Sequence, residues 1–217
     1  MDYNSLTIQI QNYANRTDTF FINQIPDFIN QGISRIYSEA RSIGFQKIQT
    51  GNPVFTVNNP LIAKPNDWRE TISLSYVIPG TTPTTVYVLP RTYEFCRSYS
   101  PITTTTGNPV FYADYSMPQL QANPVGQLYL SPTPSVAYSY ELLYLSTPLF
   151  NVSNPVNFLT DRYPSLLLYA CLLETIPFLK DDERVATFEA LYNRALKDVL
   201  EDTTQRYTDR LSKRDKD

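Results

Sequence analysis

The chain has 217 residues, a net charge of −3 and no histidine, which excludes the commonest general base, the commonest metal ligand and the Ser-His and Cys-His nucleophile pairs together. Hydrophobic residues make up 42% and charged residues 18%, so the chain can bury a substantial core but carries no basic field to recruit nucleic acid. No apolar run approaches the roughly 20 residues of a membrane helix, and residues 1–20 lack the charged-then-apolar pattern of a signal peptide.

Residues 1–50 hold 8 charges, residues 51–157 hold 9 and residues 158–217 hold 22, so a charge-poor middle separates two different ends. At the N-terminus Ser5 is placed to cap a short helix carrying Leu6, Ile8, Ile10 and Tyr13. From Thr17 on, Phe21, Ile25, Phe28, Ile29, Ile33, Ile36 and Tyr37 recur at three and four, which predicts helices over 18–24 and 26–43. Pro26 fits the first turn of the second helix, and Gly44 fits its C-cap.

The middle switches to period two. Ile72, Leu74, Tyr76 and Ile78 alternate with Thr71, Ser73, Ser75 and Val77, a strand with one buried face. Further strands are expected at Val86–Leu89, Val110–Ala113, Gln127–Leu130 and Val136–Leu145, the last two joined as a hairpin across Pro132–Ser135. Arg91–Ser98 reads as a short helical segment with Tyr93, Cys96 and Arg97 together. The echo of Gly51-Asn52-Pro53-Val54-Phe55 in Gly107-Asn108-Pro109-Val110-Phe111 is either an old duplication or, better supported by the unmatched flanks, a repeated turn-into-strand signal. Cys96 and Cys171 are lone thiols in apolar contexts and are expected reduced.

Helical period returns at Asn157. Pro164 opens a run, Leu166 to Leu173, that is apolar almost all round and so belongs at the centre of a bundle. Pro177 is expected to end it. Asp181, Asp182 and Glu183 suit the start of the next helix, whose stripe is Val185, Phe188, Tyr192, Ala195 and Val199. The expected fold is α+β: a helical bundle of residues 1–48 and 157–205, an inserted antiparallel β domain of residues 49–156 (a small sandwich or barrel), and a C-terminal tail of residues 206–217.

This order of motifs resembles the head–tail adaptor (head-to-tail connector) proteins of short-tailed bacteriophages over nearly the whole chain. The N-terminal part is Arg16-Thr17-Asp18 leading into Phe28-Ile29 and Ile33-xx-Ile36. Then come Pro65-xx-Trp68, Gly107-x-Pro109-xx-Tyr112 and Leu128-Tyr129-Leu130-Ser131-Pro132. The most specific block is Asn157-xx-Thr160-xx-Tyr163-Pro164, Leu167-xx-Ala170-xx-Leu173-Glu174, Pro177 to Arg184 and Tyr192-xx-Ala195-Leu196. The resemblance implies a virion protein at the head–tail junction, assembled in the host cytoplasm. It implies a ring of twelve copies under the portal ring, continuing the DNA channel and giving the tail nozzle or tail tube its platform. Passing duplex DNA would meet no sequence-specific contact. The family has no catalytic residues to carry over.

Residue by residue, the enzymatic readings are weak. Asp181, Asp182 and Glu183 are adjacent on a helix start and point apart, so capping is preferred to metal binding. Asp114 and Glu141 are a formal glycosidase pair but isolated. No catalytic, metal or cofactor site is expected. Tyr87, Tyr112, Tyr138 and Tyr140, from a larger set with Tyr76, Tyr129 and Tyr144, are candidates for inter-subunit or tail-facing contact. Arg206, Tyr207, Arg210, Leu211, Lys213 and Arg214 are candidates for contact with the portal or a neighbouring copy, ordering on binding. The rival readings are another connector layer, such as a stopper or tail completion protein, and a carbohydrate- or receptor-binding module presenting the tyrosines.

Overall fold

The structure is a computed structural model that describes residues 1–40, 45–102, 104–115, 126–147, 149–180 and 182–212, without side-chain placement at 182 and 202–212. The chain is α+β and divides into two units, Met1–Phe45 with Pro148–Asp217, and the inserted Gln46–Thr147.

The first unit is helical. Helix α1 (Tyr3–Ala14) is capped by Asp2, not Ser5: the Asp2 carboxylate accepts the Ser5 N–H at 2.7 Å. A carboxylate at that position also answers the positive end of the helix, which a hydroxyl does less well. Asp18 caps the single turn α2 (Thr19–Ile22), and α3 (Ile25–Glu39) follows with Pro26 in its first turn. The C-cap expected at Gly44 lies outside the described residues. A capping box of Asn157 and Thr160 opens α5 (Phe158–Arg162). Next comes α6 (Pro164–Leu179), which packs against α1, α3, α5 and the final helix α7 (Val185–Ser212). Being surrounded, α6 must be apolar on every side: Leu166, Leu167, Ala170, Cys171 and Leu172 are all sealed from solvent.

Pro177 does not end α6. It lies inside the last turn, where only one backbone hydrogen bond is forfeited, and Lys180 in the left-handed region closes the helix by donating its N–H to Ile176 at 2.8 Å. Helices α3 and α6 approach each other closely at Gly32. A β-carbon built on Gly32 would lie 2.9 Å from the backbone nitrogen of Cys171, so glycine there is dictated by packing.

The second unit is a curled seven-stranded sheet, an open half-barrel, with strand order β1-β9-β3-β4-β6-β7-β2. In chain order the strands are β1 (Gln46–Ile48), β2 (Leu61–Ala63), β3 (Trp68–Ile78), β4 (Thr84–Pro90), β5 (Thr106–Gly107), β6 (Phe111–Tyr115), β7 (Gln127–Ser131), β8 (Thr133–Pro134) and β9 (Tyr140–Ser146), with α4 (Tyr93–Tyr99) between β4 and β5. The sheet is mixed rather than wholly antiparallel. Strands β4 and β6 run parallel because α4 carries the chain back across the sheet between them, the connection a parallel pair requires.

The expected hairpin across Pro132–Ser135 is absent. Strand β7 pairs with β6 and β2, and β9 pairs with β3 and β1. Two prolines in that segment remove ladder donors, and Thr133–Pro134 instead pairs with β5. The two Gly-Asn-Pro-Val-Phe copies also differ: Gly51 and Asn52 are left-handed at φ 93° and 47°, whereas Gly107 sits in β5. One face of the sheet holds the core, built on Leu74, Tyr76, Leu128, Leu130, Leu142 and Tyr144. Ile72 is 41% exposed at a bulge between β3 and β9, which breaks the alternation expected of it.

Candidate functional site

The sequence proposed two kinds of surface, and the structure separates them. Of the four candidate tyrosines, Tyr112 and Tyr140 are in the core and Tyr138 is half-buried, stacked on Tyr76 at 5.3 Å. Burial pushes the Tyr112 and Tyr140 phenols above their ordinary range. Tyr112 and Tyr140 belong to the core of the half-barrel, and Tyr138 packs against it while keeping part of its surface exposed. Tyr87 is 65% exposed.

Tyr87 belongs to a larger surface that sequence reasoning missed. The sheet face opposite the core is covered by α4 over β6 and β7, where Cys96 packs on Ala113 and Tyr129. Over β1, β9, β3 and β4 the same face is largely uncovered, although Ser75 and Leu145 on it are buried. Its rows run Ile48–Leu143–Ser73 and Glu141–Ser75–Tyr87, with Val77–Thr85 beyond. Ile48, Val77, Tyr87 and Leu89 are all exposed on these strands, and a depression of about 390 Å³ lies among Val77, Thr85, Tyr87, Ser139 and Glu141. A ridge borders it: Phe95 and Tyr99 of α4 both stand edge-on to Phe111, at 5.1 and 5.0 Å, and Arg91 lies over the Phe95 and Phe111 rings. Exposed aromatics beside arginine are the composition of interface anchors. The signal was present in Val86-Tyr87-Val88-Leu89, which is apolar at both parities and therefore reads as a strand meant to be covered on both sides.

The second surface is the end of α7. This helix has 28 residues against 16 in α6, so it is longer than its partner by roughly 18 Å at 1.5 Å per residue. Its buried stripe is Phe188, Tyr192 and Val199, while Leu200 is exposed. The backbone at Arg206, Tyr207, Arg210 and Leu211 is helical; their side chains, and Lys213 and Arg214 altogether, lie outside the described residues.

Asp114 shares its face with Tyr112 on the core side, where it binds the ammonium of Lys64, whereas Glu141 stands on the opposite face beside Ser75. Two carboxylates on opposite faces cannot flank one bond. Lys64 is buried with its ammonium 3.7 Å from the Trp68 ring, beside a recess of about 260 Å³ bounded by Trp68, Pro90, Arg91, Tyr112 and Asp114. Among the described residues no three His, Cys, Asp or Glu side chains gather to hold a metal, and no helix is long and apolar enough to cross a membrane. Asp181 and the Asp182 side chain lie outside the described residues, and Asp182–Arg184 form a 3-10 turn before α7. Cys96 and Cys171 are both free and buried, with burial pushing both thiols up.

Compared with known families, residues 1–214 match the family model of the SU10 adaptor protein. No curated protein matches the chain.

Proposed function

The chain belongs to the SU10 adaptor protein family, structural proteins of the bacteriophage virion that act as head–tail adaptors and not an enzyme family, and from that membership we propose that it forms a ring of twelve copies docked beneath the portal of a short-tailed phage. The ring continues the DNA channel and gives the tail nozzle or tail tube its platform, after assembly in the cytoplasm of the host.

One observation carries the docking role: α7 is about 18 Å longer than the helix it packs on. A helix longer than its packing partner has surface left for another protein, and the sequence from 206 on contains Arg206, Tyr207, Arg210, Leu211, Lys213 and Arg214. The inserted unit supplies the remaining contact through Tyr87 and the ridge beside it. Its few cations favour a conduit: residues 51–157 contain Lys64, Arg69, Arg91 and Arg97 against five acids, and Lys64 is buried. Duplex DNA therefore passes without the phosphate contacts that would hold it.

Removing residues 206–217 tests the docking role. The truncated chain is expected to keep its helical signal and unfolding transition while losing most of its affinity for the cognate portal protein in a pull-down. Undiminished portal binding by the truncated chain contradicts the assignment, and favours a stopper or tail completion layer that contacts its partner through the β unit.

A further inference from the structure

Two exposed groups of the inserted unit stand in apolar surroundings without a partner of opposite charge. The Arg91 guanidinium lies 5.7 and 5.6 Å from the Phe95 and Phe111 ring centres. It donates to the Pro90 carbonyl at 3.1 Å and, among the described residues, meets no carboxylate. Glu141 stands on the uncovered sheet face, at the depression beside Tyr87, and among the described residues meets no cation.

Within one copy the two cannot pair. Arg91 lies four residues beyond Tyr87, and Tyr87 is two strands from Glu141 through Ser75. At about 3.3 Å per residue and 4.8 Å per strand their backbones are roughly 16 Å apart. Arg91 also leans toward β6, on the side of β4 away from β3 and β9.

Their surroundings are complementary. The rows Ile48–Leu143–Ser73, Glu141–Ser75–Tyr87 and Val77–Thr85 carry a single charge, Glu141, among the exposed side chains of Ile48, Val77 and Tyr87. The ridge of Phe95, Tyr99 and Phe111 also carries one, Arg91. Glu94 lies about 100° round α4 from Phe95 and about 140° from Tyr99, on the other flank of the helix. A guanidinium ringed by exposed aromatics matches a carboxylate ringed by exposed apolar side chains in both charge and polarity. The sizes agree as well: four strands present about 14 Å of width, enough for one helix about 10 Å across.

We propose that the α4 ridge of one copy seats on the uncovered β1-β9-β3-β4 face of a second copy, with Arg91 of the first opposite Glu141 of the second. The two surfaces differ and, the sheet being curled, face different ways, so the contact runs head-to-tail. This rests on the reading that the chain assembles with copies of itself, and it assigns a contact between them.

The test uses full-length chains without portal at high protein concentration. One preparation carries Ser98→Cys beside the ridge and a second, differently tagged, carries Thr85→Cys on the sheet face. Both positions are exposed, and the native cysteines are buried and silent toward a short bismaleimide. A control pair replaces Ser98→Cys with Val152→Cys, at a position 72% exposed on the helical unit. The mixed Ser98→Cys and Thr85→Cys pair is expected to form the two-tag adduct about tenfold faster than the control, as a weak contact raises effective concentration. Arg91→Glu in the first chain, or Glu141→Arg in the second, should remove that advantage, and the two together should restore it. Equal rates for the two cysteine pairs overturn the proposal and leave the face to a different partner. So does an advantage that survives either charge reversal, or one that the paired reversal does not restore. Loss of portal binding in the pull-down with an intact two-tag adduct sinks the docking role alone, and equal rates with portal binding intact sink this contact alone.

Discussion

Replacing Gly32 by Ala is expected to destabilise the protein although alanine is the better helix former. The added β-carbon would sit 2.9 Å from the Cys171 backbone nitrogen, 3.1 Å from its α-carbon and 3.1 Å from its Sγ. The sulfur can rotate away, but the backbone of α6 cannot yield without shifting a helix packed on every side. Overpacking of this kind costs about 1–3 kcal/mol. Alanine returns up to about 1 kcal/mol of helix propensity over glycine, so with the middle of that range the net loss is about 1 kcal/mol. Urea unfolding followed by circular dichroism measures it, with equal m-values confirming that the unfolded states are comparable. Gly80→Ala is the control: its β-carbon meets nothing nearer than 3.9 Å, and its effect should stay within about 0.5 kcal/mol. Cys171→Ala should not rescue Gly32→Ala, since the nearest atom is backbone. A Gly32→Ala protein as stable as the parent would refute the close-approach argument.

Two tyrosines link stability to alkaline pH. Tyr144 donates to Asp67 at 2.9 Å and Tyr192 to Glu39 at 2.8 Å, and burial first, then the accepting carboxylate, pushes both phenols well above their ordinary value. The folded state therefore holds these protons more tightly than the unfolded chain. Their contribution is whole below about pH 10 and declines above it. Tyr144→Phe and Tyr192→Phe should each cost about 1 kcal/mol at neutral pH and make the alkaline decline shallower; a steeper decline in urea titrations would contradict the sign. The Lys64–Asp114 pair should be asymmetric, because Lys64 is buried and Asp114 is half exposed. Asp114→Ala weakens the partner of a buried cation and should cost up to about 3 kcal/mol. Lys64→Met leaves a carboxylate that water can reach and should cost under about 1 kcal/mol, so thermal melts that reverse this order would show that Lys64 is not held as described.

The helical unit was legible because its packing is one-sided or total. Phe28, Ile29, Ile33 and Ile36 announce a single face, and the unbroken run from Leu166 to Leu173 announces a helix with neighbours all round. The β unit was less so. Individual strands follow from alternation, but pairing is set over distance: nothing local to Pro132–Ser135 says that β7 and β9 belong to opposite parts of the sheet. The tyrosines mislead for a related reason. Composition cannot distinguish Tyr140, stacked on Phe55 at 5.0 Å inside the half-barrel, from Tyr87 on its outside; strand parity can, once register is known. The ridge of Arg91, Phe95, Tyr99 and Phe111 joins residues up to 20 positions apart across a crossover, so it had no sequence spacing to reveal it.

The most direct test of the adaptor assignment is electron microscopy of this protein mixed with the portal protein encoded in the same genome, beside each alone. The account predicts an added layer of density on the portal ring with the portal's own rotational symmetry, missing when residues 206–217 are deleted. A bare portal at saturating concentrations of the intact chain would contradict it.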